Sequence, residues 1–178
     1  MMQIDTEYLV EAIRDSAVEF GITYSVEVIR DGTVIDSEVV HNLVPIEGLN
    51  HILGVEFKGV TQVLTWYLGI FEGNYTPTSA DTAAAIVAGA TECTAYGEAT
   101  RVALVPGSIA GGAFDNVASK ASFTMNATKT VYGCFLTSAP AKSATTGVLT
   151  SSVRFGTAKI LNATDILQIT AGMTATSA

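Results

Sequence analysis

The side chains best able to do chemistry in this sequence are few and set far apart. Its two histidines, His41 and His51, lie ten residues from each other with no cysteine nearby, which is not a metal-ligand spacing. Cys93 and Cys134 are separated by 41 residues, form no CxxC or zinc-type pattern, and sit in small, apolar or hydroxyl-rich surroundings. They read as two buried free thiols, with a disulfide or a reactive thiol as the lesser alternative. A serine nucleophile would need a sharply turned Gly-x-Ser-x-Gly string. The nearest one, Gly107-Ser108-Ile109-Ala110-Gly111, has the wrong glycine spacing and reads as a turn. Neither GxGxxG nor GxxxxGK[ST] occurs, so no glycine-rich loop is available to cradle phosphate. Asp31 and Asp36 flank a hairpin turn instead of forming a calcium-ligand array. Paired carboxylates could converge from distant positions, but most of the 17 acids fall on polar phases of helices and strands, where hydration accounts for them. The Asn-x-Thr triplets at Asn74, Asn126 and Asn162 suit turns and wet strand faces. Met1 to Glu7 has neither the basic nor the apolar region of a secretory signal, so glycosylation is not expected. No enzymatic activity, cofactor or metal is expected.

Composition points to assembly instead. Of 178 residues, 48% are apolar and only 15% charged, which excludes intrinsic disorder. The mean hydropathy of +0.39 is high for a chain that keeps its whole surface in water. Surface buried against a partner, or against further copies of the chain, is therefore expected. A formal charge of −8 and a pI near 4.6 make nucleic acid and anionic membranes poor partners, because nothing offsets phosphate repulsion. The longest apolar run, around Val63 to Phe71, is broken by Thr65 and falls far short of the ~20 residues a membrane helix needs. Reduced thiols fit assembly in an intracellular compartment.

The elements that must present any contact surface can be read from periodicity. Thirteen acids and three bases precede Ala83, and four acids and six bases follow Thr82; this shift suggests a distinct N-terminal environment or one shared core. Residues 5–20 read as an amphipathic helical arm, capped by Asp5 or Thr6, with Leu9, Ala12, Ile13, Ala17 and Phe20 on one face and Gly21 as its stop. Such a stripe packs either on its own domain or on a neighbour. Ile22, Tyr24, Val26 and Val28 alternate with polar residues, Asp31-Gly32 supplies a tight turn, and Ile35, Val39 and Leu43 lie on the return strand. Pro45 then suits the first turn of a short helix with Leu49, Ile52, Leu53 and Phe57 on one side. Leu64 to Phe71, apolar on both faces, predicts a central strand, and a small helical turn is predicted over residues 81–88. Period-two alternation at Ala121, Phe123, Met125 and Ala127 continues through 130–137, 148–158 and 166–175, between Gly-, Ser- and Asn-rich turns. The expected fold is a mainly β, antiparallel β-sandwich, jelly-roll-like, occupying residues 21–178 behind an arm at 1–20, with short helical insertions.

Several stretches carry a resemblance. They are Trp66-Tyr67-Leu68-Gly69-Ile70-Phe71-Glu72-Gly73-Asn74-Tyr75-Thr76-Pro77, Glu92-Cys93-Thr94-Ala95-Tyr96-Gly97-Glu98-Ala99-Thr100-Arg101, Lys120-Ala121-Ser122-Phe123-Thr124-Met125-Asn126-Ala127-Thr128 and Thr145-Thr146-Gly147-Val148-Leu149. Together with the Asn42-Leu43-Val44 to Gly48-Leu49-Asn50 region, they resemble structural proteins of tailed-bacteriophage virions, most of all head decoration (cement) proteins, over roughly residues 34–170. The resemblance implies a β-sandwich or jelly roll on the outer capsid, assembled in the bacterial host cytoplasm. It also implies the major capsid protein as partner and self-association, with a homotrimer expected first and a dimer second. Alternatives are a tail, collar or fibre-base protein, or a carbohydrate-binding β-sandwich module, which would want exposed aromatics on a sheet face. Tyr8, Leu9, Ile13 and Phe20 of the arm, with Trp66 and Tyr67, are the candidate interface residues, since Trp and Tyr are enriched at interface hot spots. For Trp66 and Tyr67, core packing is the competing reading.

Overall fold

The structure, a computed structural model, describes residues 18–177. Two antiparallel sheets pack face to face as a β-sandwich. In the first, β1 (Val18–Arg30) lies between β2 (Thr33–His41) and β10 (Ile166–Ser177), while β6 (Ala113–Asp115) and β7 (Ala121–Thr124) share the far edge of β10. In the second, β8 (Lys129–Thr137) lies between β9 (Leu149–Leu161) and β3 (Tyr67–Phe71), and β4 (Glu92–Cys93) and β5 (Val102–Ala103) share the far edge of β3. The connections β2–β3, β5–β6, β7–β8 and β9–β10 cross between layers, so the chain wraps around both.

The hairpin forms as the Asp-Gly pair requires: Asp31 and Gly32 both have positive φ, 51° and 77°, which matches the twist of the flanking strands. Ile22, Tyr24, Val26 and Val28 then point inward beside Leu167, Ile169 and Ala171 of β10. β1 pairs with β10 from Val18 to Ile29, so the acidic and the Ala/Thr-rich halves share one core. Residues 5–17 of the predicted arm lie outside the described residues. Its last positions do not close a helix: Val18, Glu19 and Phe20 open β1, and Gly21 continues it. A strand partner along their whole length, at Ala175 to Ser177, outweighs the helical spacing there.

The second sheet is buried on both faces at its centre, which explains the unbroken apolar run of β3. Leu68, Ile70, Cys134 and Leu136 face the main core. Phe71, Phe135 and Leu149 face outward, beneath Ala83, Ile86 and Ala90 of a covering helix, α2 (Ala83–Ala90). Glycines make this double burial possible, because the Phe135 ring lies over its cross-strand partner Gly69, and the Phe71 ring over its partner Gly133. A methyl group at either glycine would occupy ring space. The strand starts at Tyr67, later than the apolar run suggests, and Leu64 is 89% exposed.

Both open sides of the sandwich are stitched. On one, Leu43 and Ser152 exchange backbone bonds of 3.0 and 3.2 Å. Further along that side the Lys159 ammonium, itself buried, sits 3.0 Å from Asp36 and 3.5 Å from Glu38. On the other, Gly97 N–H donates to Thr124 O at 2.8 Å and Asn126 N–H to Ala95 O at 3.1 Å. Tyr24 Oη and Asn42 Nδ2 both donate to Ser151 Oγ, at 2.8 and 2.9 Å, and Asn42 Oδ1 accepts from Ile22 N–H at 2.7 Å. Burial holds the Tyr24 phenol well above its ordinary value, so it stays a donor in this network.

Candidate interaction surfaces

Among the described residues, a run of exposed apolar side chains lies on α1 (Ile46–Lys58), a helix that rests on β9 at Gly48. Pro45 is the residue just before the helix, and Ile46 N–H donates to Ser79 O at 2.9 Å. Glu47 Oε2 accepts from Leu149 N–H of β9 at 2.6 Å and from Ala83 N–H, the first residue of α2, at 2.9 Å. That carboxylate satisfies an orphan donor at a helix start and fixes the roll of α1 about its own axis. Gly48 then lies directly on β9, where a Cβ would stand 2.8 Å from Thr150 Cα. His51 meets Trp66 edge-on, with ring centroids 5.6 Å apart. Gly59, with φ 68°, ends the helix, and Val60 N–H turns back to Gly54 O at 3.0 Å.

With Gly48 against β9, the apolar side faces outward. Ile46, Leu49, Leu53 and Phe57 recur at three- and four-residue intervals and are all exposed, Phe57 by 76%; Val60 and Leu64 beyond the helix are exposed too. Single exposed apolar residues need no explanation, but a contiguous stripe marks a contact surface. A second apolar face lies on β2, where Val34, Ile35 and Val39 are exposed, Val39 by 63%.

Of the predicted interface residues, the structure describes three, Phe20, Trp66 and Tyr67. Tyr8, Leu9 and Ile13 lie outside the described residues. Phe20 is half-buried in β1 opposite Ala175, and so sits on a sheet, not on a helical arm. Trp66 is half-buried against the main core, and Tyr67 opens β3, half-buried between Thr137 and Ala103. Sequence spacing places Leu49, Ile52, Leu53 and Phe57 on one side of the helix; Leu49, Leu53 and Phe57 are exposed there, and Ile52 is half-buried. The outward direction of that side depends on Gly48 and Glu47, whose partners on β9 and α2 lie far along the chain.

Other polar groups that hydration was expected to explain are buried. Arg101 donates to both oxygens of Glu92 at 2.8 and 2.7 Å and to the carbonyls of Ala139 and Ala144, each at 3.1 Å. Glu92 also accepts from Ser143 N–H at 2.7 Å. Arg30 donates to Asp165 at 2.9 and 2.6 Å, which holds that carboxyl below its usual range against the opposing effect of burial. Asp81 is buried and accepts from Tyr75 Oη at 2.7 Å. These clusters fasten loops and strand ends.

Cys93 and Cys134 are both free and buried, and burial pushes both thiols up. They pair with the same residue, Ile70, from opposite sides, so they stand two strand spacings apart, about 9.6 Å, too far for a disulfide. Among the described residues, no group of three His, Cys, Asp or Glu side chains is placed to hold a metal ion, and no helix is long and apolar enough to cross a membrane. Comparison with known proteins gives no matching family model and no match among curated proteins.

Proposed function

We propose that this chain is a structural virion protein of a tailed bacteriophage, a capsid decoration or cement protein that binds the outer capsid and bridges neighbouring major capsid subunits. The observation that carries the reading is a rigid body, stitched along both sides, that presents apolar faces on two different elements, α1 and β2. A cement protein needs this combination. It must resist deformation, and it must touch more than one neighbour, so that separating capsid subunits would expose buried area. Internal DNA pressure pulls such seams apart, and each copy need contribute little because symmetry repeats the contact. The resemblance of residues 34–170 to head decoration proteins points the same way.

Antibody labelling of intact virions, viewed by electron microscopy, tests the proposal. Regular label over the head is the expected result, with heads lacking the protein opening at lower temperature. Label confined to the tail or neck would overturn the cement reading in favour of a tail, collar or fibre-base role.

A further inference from the structure

We infer that Lys159 and Asp36 join through a side-chain amide that ties β9 of one sheet to β2 of the other, with Glu38 carrying the proton that the reaction moves. The inference does not depend on where the protein acts. Three observations carry it. First, the charges stand where strand alternation calls for apolar side chains. Asp36 and Glu38 are in register with the buried Val28 and Val26, on the core side of β2, while Ile35 and Val39 are exposed. Lys159 is in register with Val131 of the main core, and its side chain is buried. Second, the reacting groups already touch. Lys159 Nζ lies 3.0 Å from Asp36 Oδ2 and 3.5 Å from Glu38 Oε2, and Thr157 N–H donates to that same Glu38 oxygen at 3.3 Å. Third, the other Glu38 oxygen, Oε1, is buried with no hydrogen-bond partner. A carboxylate serving only as a counter-ion would turn both oxygens to donors. Here one oxygen beside the amine stays open to hold a proton in transit.

A lysine amine, unlike a guanidinium, can give up its proton and act as a nucleophile. The ammonium first passes a proton to Asp36, leaving a neutral amine beside a carboxylic acid. The Nζ lone pair then attacks Asp36 Cγ and the N–C bond forms. Glu38 takes a proton from the nitrogen and returns it to the departing hydroxyl, the Cγ–O bond breaks, and one water leaves on the solvent side of Asp36, whose side chain is 44% exposed. The three protons of the ammonium become one on the amide and two on the water; charge is conserved and nothing is oxidised or reduced. Holding the two groups in contact is equivalent to an effective concentration of about 10⁵–10⁸ M, which favours the amide over the separate groups in water. The ion pair is the reactant arrangement and sets the register of β2 before the bond closes.

Mass spectrometry of the full chain, denatured after purification, is the test. The wild type should weigh less than the linear chain by one water. Trypsin should leave Lys159 uncut and release the segment Asp31 to Lys58 joined to the segment Phe155 to Ala178. Lys159→Arg keeps the cation and should show the linear mass. Glu38→Gln, with circular dichroism checking that it keeps the wild-type fold, should form the bond about a hundredfold or more slowly. A folded wild type that keeps the linear mass after long incubation at neutral pH would overturn the inference. So would a loss of water carried by the Asp31 to Lys58 segment alone, as ring closure at Asp31-Gly32 would give. A Glu38→Gln chain that joins as fast as wild type would overturn the role of Glu38.

Discussion

Arg101→Met should be among the most damaging single changes available in this fold, although it is far from any exposed face. The guanidinium is fully buried, and its Glu92 partner nearly so. Methionine keeps much of the length and apolar character but none of the donors, so the change leaves the Glu92 carboxylate with only Ser143 N–H. Removing one member of a buried ion pair costs about 3–5 kcal/mol, because the remaining charge stays desolvated. The carbonyls of Ala139 and Ala144 lose a donor as well, which places the expected cost near the upper end, about 4–5 kcal/mol. For a chain of this size each kcal/mol moves the melting midpoint by about 2–4 °C, so a fall of roughly 8–20 °C is expected. Urea denaturation followed by the fluorescence of the single tryptophan, Trp66, measures the free energy directly. Adding Glu92→Gln to Arg101→Met should recover part of the loss, since it removes the stranded charge. A cost under about 1 kcal/mol for Arg101→Met, or a double variant whose cost equals the sum of the two singles, would refute the argument that the pair acts as a buried unit.

Two further outcomes follow from the buried groups. Neither Cys93 nor Cys134 should react with a thiol reagent in the folded protein, and both should react once it is unfolded in denaturant; burial both shields them and disfavours the thiolate. Arg30→Gln should lower stability at neutral pH but matter less in acid. The Asp165 carboxyl is held below its usual range mainly by its bonds from Arg30, so its contribution is complete above the unfolded carboxylate value of ~3.9 and is lost as pH falls through the lower folded value. The gap between the two proteins in denaturation curves from pH 7 down to pH 3 should therefore begin to narrow below about pH 4, and a gap that widens towards acid would contradict the assignment.

The strands were legible where one face is wet. Alternation at Ala121, Phe123 and Met125, and the Asp31-Gly32 turn, are local signals that survive folding unchanged. The short strands β4, β5 and β6 carry too few residues to show a period, and they exist because the edges of β3 and β10 offer them backbone partners. Leu64 illustrates the opposite error, an apolar residue that belongs by pattern to β3 but falls outside it. The contact surface was half-readable. Leu49, Ile52, Leu53 and Phe57 stand on one side of α1 by spacing alone, whereas the exposure of three of them and the half-burial of Ile52 are decided by Gly48 against Thr150 and Glu47 against Leu149, about a hundred residues away. Arg101 and Glu92 gave no sign of their burial, since a charged residue nine positions from another is as easily a surface pair.

The charges turned towards the stitched side of the sandwich also limit how the protein can grow. β2 has one free edge, and unpaired backbone there would accept a strand from another molecule, and another after that. Asp36 and Glu38 are matched in register with Val28 and Val26 and in charge with Lys159 on β9. A one-residue slip of β2 would turn both acids outward and leave the Lys159 ammonium buried without an anion. The register of β2 is thus tied to a single alignment, and a strand laid flat against its free edge would have to cover these inward-turned charges.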